Sequence, residues 1–250
     1  MRRFLLLALC VSPFAALAGE VNQFTFETSD GVMIHGDLYP TGAGPSAPTI
    51  LLFHQGGGDA RGEYGAIAPR LNKAGYNAIA IDQRRGGERL GSTNRTLSGL
   101  SDADYGYCDA DPELEGALRY ARAAGFVGKL VAWGSSYSAA LVFQLAASHS
   151  GDIDAVLAFS PASGAPLDGC QVVQYLADVS APALALRPQS EFEIESVQAQ
   201  MAAFDAQGVE TYVADPGVHG SSMLNAERVG APTDATWTVV LDFLERALGD

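Results

Sequence analysis

The segment KLVAWGSSYSAALVFQLAA, residues 129–147, decides the fold of this chain. It opens with a short apolar run, bends at a cluster of serines, and continues as a longer apolar segment. Such a pattern is typical of a buried strand that turns directly into a helix. Three serines, Ser135, Ser136 and Ser138, stand where that turn must occur. One of them is therefore a candidate nucleophile.

Sterics select one of the three serines. A nucleophile on a sharp strand-to-helix turn needs small residues two positions before and two positions after it, because the strained turn brings those backbones together. Ser136 has Gly134 and Ser138 at these positions. Ser135 would have two large aromatic residues there, and Ser138 would already lie inside the helix. The pattern G-x-S-x-S therefore favours Ser136, although it departs from the usual G-x-S-x-G.

Apolar runs of strand length alternate with helix-length segments along most of the 250 residues. The predicted strands are 23–28, 32–39, 49–54, 76–82, 129–133, 154–159, 181–186 and 210–215, and the predicted helices are 67–75, 111–125, 137–148, 194–207 and 237–248. The first two strands flank Asp30-Gly31, which predicts an antiparallel hairpin. The later alternation predicts an α/β domain with a mainly parallel sheet of about eight strands and helices on both faces.

The base that must activate a serine is sought among four histidines. His35 lies in the hairpin, and His149 lies at the far end of the helix that Ser136 begins. His54 ends a strand against three glycines, which suits a role in shaping the loop. His219 follows the last predicted strand in the segment DPGVHG, at the sheet edge where catalytic groups of parallel sheets gather. His219 is therefore the predicted base.

An acyl-transfer site also needs backbone N–H donors for the oxyanion. The N–H of Tyr137 directly follows the nucleophile at a helix N-terminus and is the first candidate. The second donor is expected in HQGGG, residues 54–58, which follows a buried strand; we assign it to the N–H of Gln55. The three glycines would let the backbone approach a substrate.

Chain order and these motifs resemble the α/β-hydrolase fold. The segment FHQGGGDARGEYGAIAPRLNKAGYNAIAIDQRRGG, residues 53–87, is similar to secreted relatives of the dienelactone hydrolase group, and the resemblance extends over about residues 50–248. It implies a serine or cysteine nucleophile, a histidine, an Asp or Glu, and no cofactor. Serine at the turn favours ester cleavage over the cysteine chemistry of the dienelactone enzymes.

The resemblance also places the acid in the loop after strand 181–186. Glu191, Glu193 and Glu195 are the candidates there. The segment PQSE, which ends in Glu191, matches the spacing of the family's G-x-x-D, with proline for glycine and glutamate for aspartate. Glu193 and Glu195 suit the first turn of the following helix, where carboxylates stabilise the helix dipole. Asp215 is a further rival, close to the histidine in sequence.

Residues 1–18 have the pattern of a secretory signal peptide: two arginines, an apolar stretch too short to span a bilayer, and a small-x-small cleavage signal before Gly19. The mature α/β-hydrolase domain would then be 19–250, periplasmic or secreted. The formal net charge of −14 and the lack of a later basic cluster argue against nucleic acid or a membrane surface as a partner.

Signal cleavage would leave Cys108 and Cys170 as the only cysteines. In an oxidising compartment a disulfide is the economical prediction, and two separately buried thiols are the alternative. Neither cysteine has the CxxC or histidine partners of a metal site, so no metal is expected.

The sequence therefore predicts an exported serine hydrolase that cleaves carboxylic esters of small to medium acyl chain. A peptidase or amidase with the same triad, and a non-catalytic hydrolase-fold binding protein, are the alternatives. The connection 161–181 is too short for a large lid, so an open site is expected. Tyr105, Tyr107 and Tyr175 are candidates to line it, or are packing aromatics. The sequence leaves the oligomeric state open.

Overall fold

The computed structural model describes residues 19–249, so the predicted signal peptide lies outside the described part of the chain. The strands are β1 (Asn22–Glu27), β2 (Met33–Tyr39), β3 (Thr49–Phe53), β4 (Asn77–Asp82), β5 (Leu130–Ser135), β6 (Ala155–Phe159), β7 (Ala183–Pro188) and β8 (Glu210–Ala214). The helices are α1 (Ala60–Tyr64), α2 (Ala68–Lys73), α3 (Asp111–Ala123), α4 (Tyr137–Ser148), α5 (Glu195–Ala206), α6 (Ala226–Val229) and α7 (Asp234–Leu248).

The eight strands form one sheet in the order β1-β2-β4-β3-β5-β6-β7-β8. β1 pairs antiparallel with β2, and β2 pairs antiparallel with β4, which confirms the N-terminal hairpin. All other neighbours are parallel. This is the mainly parallel sheet that the alternation of strands and helices predicts, and it is the α/β-hydrolase fold that the resemblance implies.

Two apolar layers cover the sheet, one on each face. Successive residues of β3 alternate between them: Leu51 and Phe53 belong to one layer, and Ile50 and Leu52 to the other. The helices α3, α4 and α5 pack on the first layer, and α1, α2 and α7 pack on the second. Burial on both faces explains why these strands are continuous apolar runs.

The register brings the carboxyl ends of the central strands to one edge. Phe53 of β3 pairs with Gly134 of β5, and Ser135 of β5 pairs with Phe159 of β6. The loops that follow these three strands therefore start side by side. This edge holds the candidate site residues.

The short helix α1 and the 3₁₀ turns were not predicted from the sequence. α1 is only five residues long, too short to show a helical period, and it starts because Asp59 accepts a hydrogen bond from the N–H of Gly62 at 2.7 Å. The connection between β6 and β7 contains single 3₁₀ turns and no lid helix. No helix within residues 19–249 is long and apolar enough to cross a membrane.

The predicted disulfide is present. Cys108 and Cys170 are bonded, with their Cα atoms 5.7 Å apart and a sequence separation of 62 residues. The bond ties the loop after β4 to the connection between β6 and β7, two segments at the same edge of the sheet.

Removing this bond should destabilise the fold. We expect the double variant Cys108→Ser/Cys170→Ser to lose about 2–4 kcal/mol of unfolding free energy, because a long loop is no longer closed in the unfolded chain. Urea denaturation followed by circular dichroism measures the loss. A wild-type protein treated with reductant should show the same midpoint as the double variant. Equal midpoints for untreated wild type and the double variant would contradict the prediction.

Candidate active site

Ser136 lies on a strained bend between β5 and α4. Its backbone has φ 59° and ψ −118°, a conformation that residues with side chains rarely adopt. A Cβ atom at Gly134 would lie 2.3 Å from the carbonyl oxygen of Ser138, so only glycine fits there. Ser136 is partly exposed. The sequence GSSYS, which we call the serine bend (residues 134–138), therefore presents this serine at the edge of the sheet.

The other two serines of the bend are committed to buried hydrogen bonds. Ser135 Oγ lies 2.6 Å from Glu63 Oε1, and it accepts the N–H of Ser221 at 3.0 Å. Ser138 Oγ lies 2.7 Å from the carbonyl oxygen of His54. Because the Ser138 side chain points inward to the His54 carbonyl, a serine fits at this position, where the G-x-S-x-G motif has its second glycine.

His219 and Glu191 form a hydrogen-bonded pair. Nδ1 of His219 lies 2.6 Å from Glu191 Oε1, while nearly half of the histidine side chain is exposed. The loop of His219 is joined to the serine bend, because the N–H of Ser221 donates to Ser135 Oγ at 3.0 Å. The structure thus brings the predicted base and the predicted acid together, in loops that contact the serine bend next to Ser136.

Glu191 also contacts a cation that the sequence analysis missed. Arg187, at the end of β7, is buried and donates from Nη1 to Glu191 Oε2 at 2.7 Å. Burial would raise the pKa of Glu191, but the hydrogen bond from His219 and the charges of His219 and Arg187 outweigh it and hold that pKa below its ordinary value. The sequence feature that could have revealed Arg187 is its position as a single charged residue at the end of an apolar strand.

The rival acids do not reach the histidine. Glu193, Glu195 and Asp215 are exposed, and among the described residues Glu191 is the carboxylate that contacts His219. Glu191 lies in a 3₁₀ turn directly after β7, which folds its side chain inward. Glu195 begins α5, the position expected of a carboxylate that stabilises the helix dipole.

The assignment of Gln55 as an oxyanion donor has to be revised. Its backbone N–H donates to Glu63 Oε2 at 2.7 Å and is therefore not free. Within residues 19–249, the N–H groups of Gly56 and Tyr137 make no hydrogen bond. Tyr137 keeps its predicted place at the start of α4, and Gly56 replaces Gln55 as the second candidate donor.

His54 supports the loop after β3. Its Nε2 accepts the N–H of Gln83 at 2.8 Å, and its Nδ1 lies 2.8 Å from the carbonyl oxygen of Gln55. Both ring nitrogens are occupied in a fully buried side chain. This is the loop-shaping position expected for His54.

One of the three candidate tyrosines contacts the site. The Tyr107 ring stacks on Tyr137 with centroids 4.9 Å apart, and a Cβ at Gly56 would lie 3.1 Å from its Cε1. Tyr105 instead lies against the Arg84 guanidinium, and the Tyr175 hydroxyl donates to the carbonyl oxygen of Gly169. The Tyr107 ring therefore packs beside Tyr137 and Gly56, the two candidate oxyanion donors.

Comparison with known proteins identifies the family of this chain. The family model described as serine aminopeptidase, S33, matches residues 44–228. The chain belongs to this family. A search of curated proteins found no match. The matched region contains the serine bend, the His219–Glu191 pair and both candidate oxyanion donors.

Solved structures share the fold. The α/β-hydrolase GrgF from Penicillium sp. sh18 aligns with a TM-score of 0.68 at 13% identity, over 92% of this chain and 100% of that chain. A protein from Klebsiella pneumoniae classed as a dienelactone hydrolase aligns with a TM-score of 0.66 at 19% identity, over 90% and 98%. The acylaminoacyl peptidase of Pyrococcus horikoshii aligns with a TM-score of 0.62 at 15% identity, over 93% of this chain but 42% of that chain.

The His219–Glu191 contact predicts the effect of replacing the acid. Glu191→Gln should lower kcat for an activated ester by about a hundredfold or more with little change in KM, because the imidazolium loses its stabilising charge. Glu193→Gln and Glu195→Gln are the controls and should stay within about threefold of wild type. Steady-state kinetics on the three variants decides it. Full turnover by Glu191→Gln would remove Glu191 from the triad.

Proposed function

We propose that this chain is an exported serine hydrolase that cleaves carboxylic esters of small to medium acyl chain through an acyl-enzyme intermediate. The observation that carries the proposal is Ser136 on its strained bend, together with a histidine that is paired with a buried carboxylate and whose loop is hydrogen-bonded to that bend. A hydroxyl on such a bend is accessible, and a histidine oriented by a carboxylate can take its proton.

The first half of the proposed reaction forms the acyl-enzyme. Ser136 Oγ attacks the ester carbonyl carbon while Nε2 of His219 takes the hydroxyl proton. The carbonyl π electrons move to oxygen, where the N–H groups of Tyr137 and Gly56 stabilise the negative charge. The tetrahedral species then collapses, the ester C–O bond breaks, and His219 gives its proton to the leaving alkoxide.

Water completes the cycle. His219 takes a proton from a water molecule, the resulting hydroxide adds to the acyl carbon, and the bond to Ser136 Oγ breaks as that oxygen is reprotonated. Glu191 keeps the Nδ1 proton on the histidine and stabilises the imidazolium in both halves. Arg187 would limit how far Glu191 stabilises the imidazolium, because Arg187 binds the same carboxylate and offsets part of its negative charge.

An amide substrate is the second candidate function. The family's description as a serine aminopeptidase and the fold shared with an acylaminoacyl peptidase favour it. The connection between β6 and β7 has only single turns and His219 is exposed, which supports an open site for either class of substrate. Both activities would use the same three side chains. Paired p-nitrophenyl ester and p-nitroanilide substrates of one acyl group separate them, and anilide turnover equal to ester turnover would favour the peptidase.

A substrate series tests the open site. Turnover of p-nitrophenyl esters should be highest for short and medium acyl chains and should fall before about ten carbons, because the connection between β6 and β7 has only single 3₁₀ turns to enclose a long chain. Steady-state kinetics across the series measures it. A steep preference for longer chains would contradict the proposal and indicate an apolar groove.

The role of Ser136 has its own test. Ser136→Ala should lower kcat by about a thousandfold or more, because the acyl-enzyme can no longer form. Ser148→Ala, an exposed serine at the other end of α4, is the control and should leave the kinetics unchanged. Ester turnover by Ser136→Ala at the wild-type rate would overturn the proposed nucleophile.

Export is part of the proposal. The bond between Cys108 and Cys170 supports an oxidising compartment, and residues 1–18 have the sequence pattern of a signal peptide. Expression of the full chain followed by fractionation and N-terminal sequencing tests it. A mature protein starting at Gly19 outside the cytoplasm is expected, and uncleaved cytoplasmic protein would contradict export.

A further inference from the structure

Glu63 is a buried carboxylate at the centre of the candidate site that the reaction above does not use. It lies in α1 and has no exposed surface. Oε2 accepts the backbone N–H of Gln55 at 2.7 Å. Oε1 accepts the side-chain amide of Gln55 at 3.1 Å and the hydroxyl of Ser135 at 2.6 Å.

These contacts join two catalytic loops. Gln55 directly precedes Gly56, the candidate oxyanion donor, and Ser135 directly precedes Ser136, the candidate nucleophile. Each contact is made by the residue one position before a reacting group. Movement of the Glu63 carboxylate would therefore shift both groups.

The histidine loop reaches the same carboxylate through Ser135. Ser135 Oγ accepts the N–H of Ser221 at 3.0 Å. Gly220, next to His219, has φ 70° and packs so closely that a Cβ there would lie 2.4 Å from Ser135 Oγ and 3.5 Å from Glu63 Oε1. All three catalytic loops thus meet at one buried group.

The partners of Glu63 distinguish it from Glu191. Within residues 19–249 no Lys, Arg or His lies within salt-bridge distance of Glu63, so its donors are a backbone amide, a side-chain amide and a hydroxyl. A buried carboxylate is costly unless its oxygens are hydrogen-bonded. Because the donors come from two loops, this side chain is satisfied only when both loops occupy their places.

We propose that Glu63 is a positioning residue that fixes the Gly56 amide, Ser136 and His219 relative to one another. The inference rests on the proposed function. Glu63 itself touches no reacting atom. Since small displacements of catalytic groups affect the transition state more than substrate binding, its loss should act on kcat and leave KM nearly unchanged.

The test uses Glu63→Gln in the full-length mature protein. Glutamine keeps the shape but turns one acceptor oxygen into an NH₂ donor. At the Oε2 position this donor faces the Gln55 backbone N–H, and at the Oε1 position it faces the Gln55 side-chain amide and the Ser135 hydroxyl. We expect kcat for a p-nitrophenyl ester to fall by about tenfold to a hundredfold, with KM within about threefold. The inhibition constant of a phenylboronic acid, which forms a tetrahedral adduct at the serine, should weaken by the same factor as kcat/KM.

Asp59→Asn is the matched control. Asp59 is also fully buried, and it caps α1, the helix that carries Glu63, but among the described residues it is hydrogen-bonded to neither Gln55 nor Ser135. Asparagine caps a helix as well as aspartate does, so kinetics and boronate inhibition should stay within about twofold of wild type. Thermal unfolding of both variants shows whether either has lost stability.

Ser135→Ala keeps the inference testable if Glu63→Gln does not fold. It removes the hydroxyl that joins Glu63 to the histidine loop, so kcat should fall by about threefold to thirtyfold with KM retained.

The inference alone would be overturned if a folded Glu63→Gln or Ser135→Ala variant kept the wild-type kcat and boronate affinity. A raised KM with unchanged kcat would also overturn it. Parallel losses in Asp59→Asn would also overturn it, since they indicate a general effect of α1. A wild-type protein without ester turnover would overturn the proposed function and the inference with it.

Discussion

The backbone of Ser136, held at φ 59° and ψ −118°, is the constraint on which the rest of the structure depends. A residue with a side chain in such a conformation costs about 1–3 kcal/mol and persists only where its surroundings enforce it. The N–H of Ser136 donates to Phe159 at 2.8 Å, and its carbonyl accepts the N–H of Ala162 at 3.0 Å. Gly134 completes the bend, because it leaves room for the carbonyl of Ser138. The fold therefore holds the serine outward before any substrate arrives.

Two buried carboxylates then arrange the groups around that serine in different ways. Glu191 lies between Arg187 and His219, and its hydrogen bond to His219 and the charge of Arg187 help to hold its pKa below the ordinary value. Glu63 has uncharged donors from Gln55 and Ser135. In the proposed site the first carboxylate orients the base, and the second fixes the loops to each other. The two carboxylates can reach the loops around Ser136 because the carboxyl ends of parallel strands, and the loops that follow them, lie at one edge of the sheet.

Much of this arrangement could be predicted from the sequence. The buried strands were visible as apolar runs, and small flanking residues pointed to Ser136. The Gln55 assignment was wrong because it depended on where one amide points, and the acceptor, Glu63, lies in a helix too short to show a period. Arg187 was missed because hydrophobic patterning does not identify the partner of a buried charge.

The central claim is that the bend selects Ser136 from three neighbouring serines, and covalent labelling tests it most directly. The folded mature protein is treated with a fluorophosphonate, digested, and analysed by tandem mass spectrometry. The account predicts one phosphonate per chain, on Ser136, with Ser135 and Ser138 unmodified because their hydroxyls are buried and hydrogen-bonded. Labelling of either neighbour, or no labelling of folded protein, would contradict it.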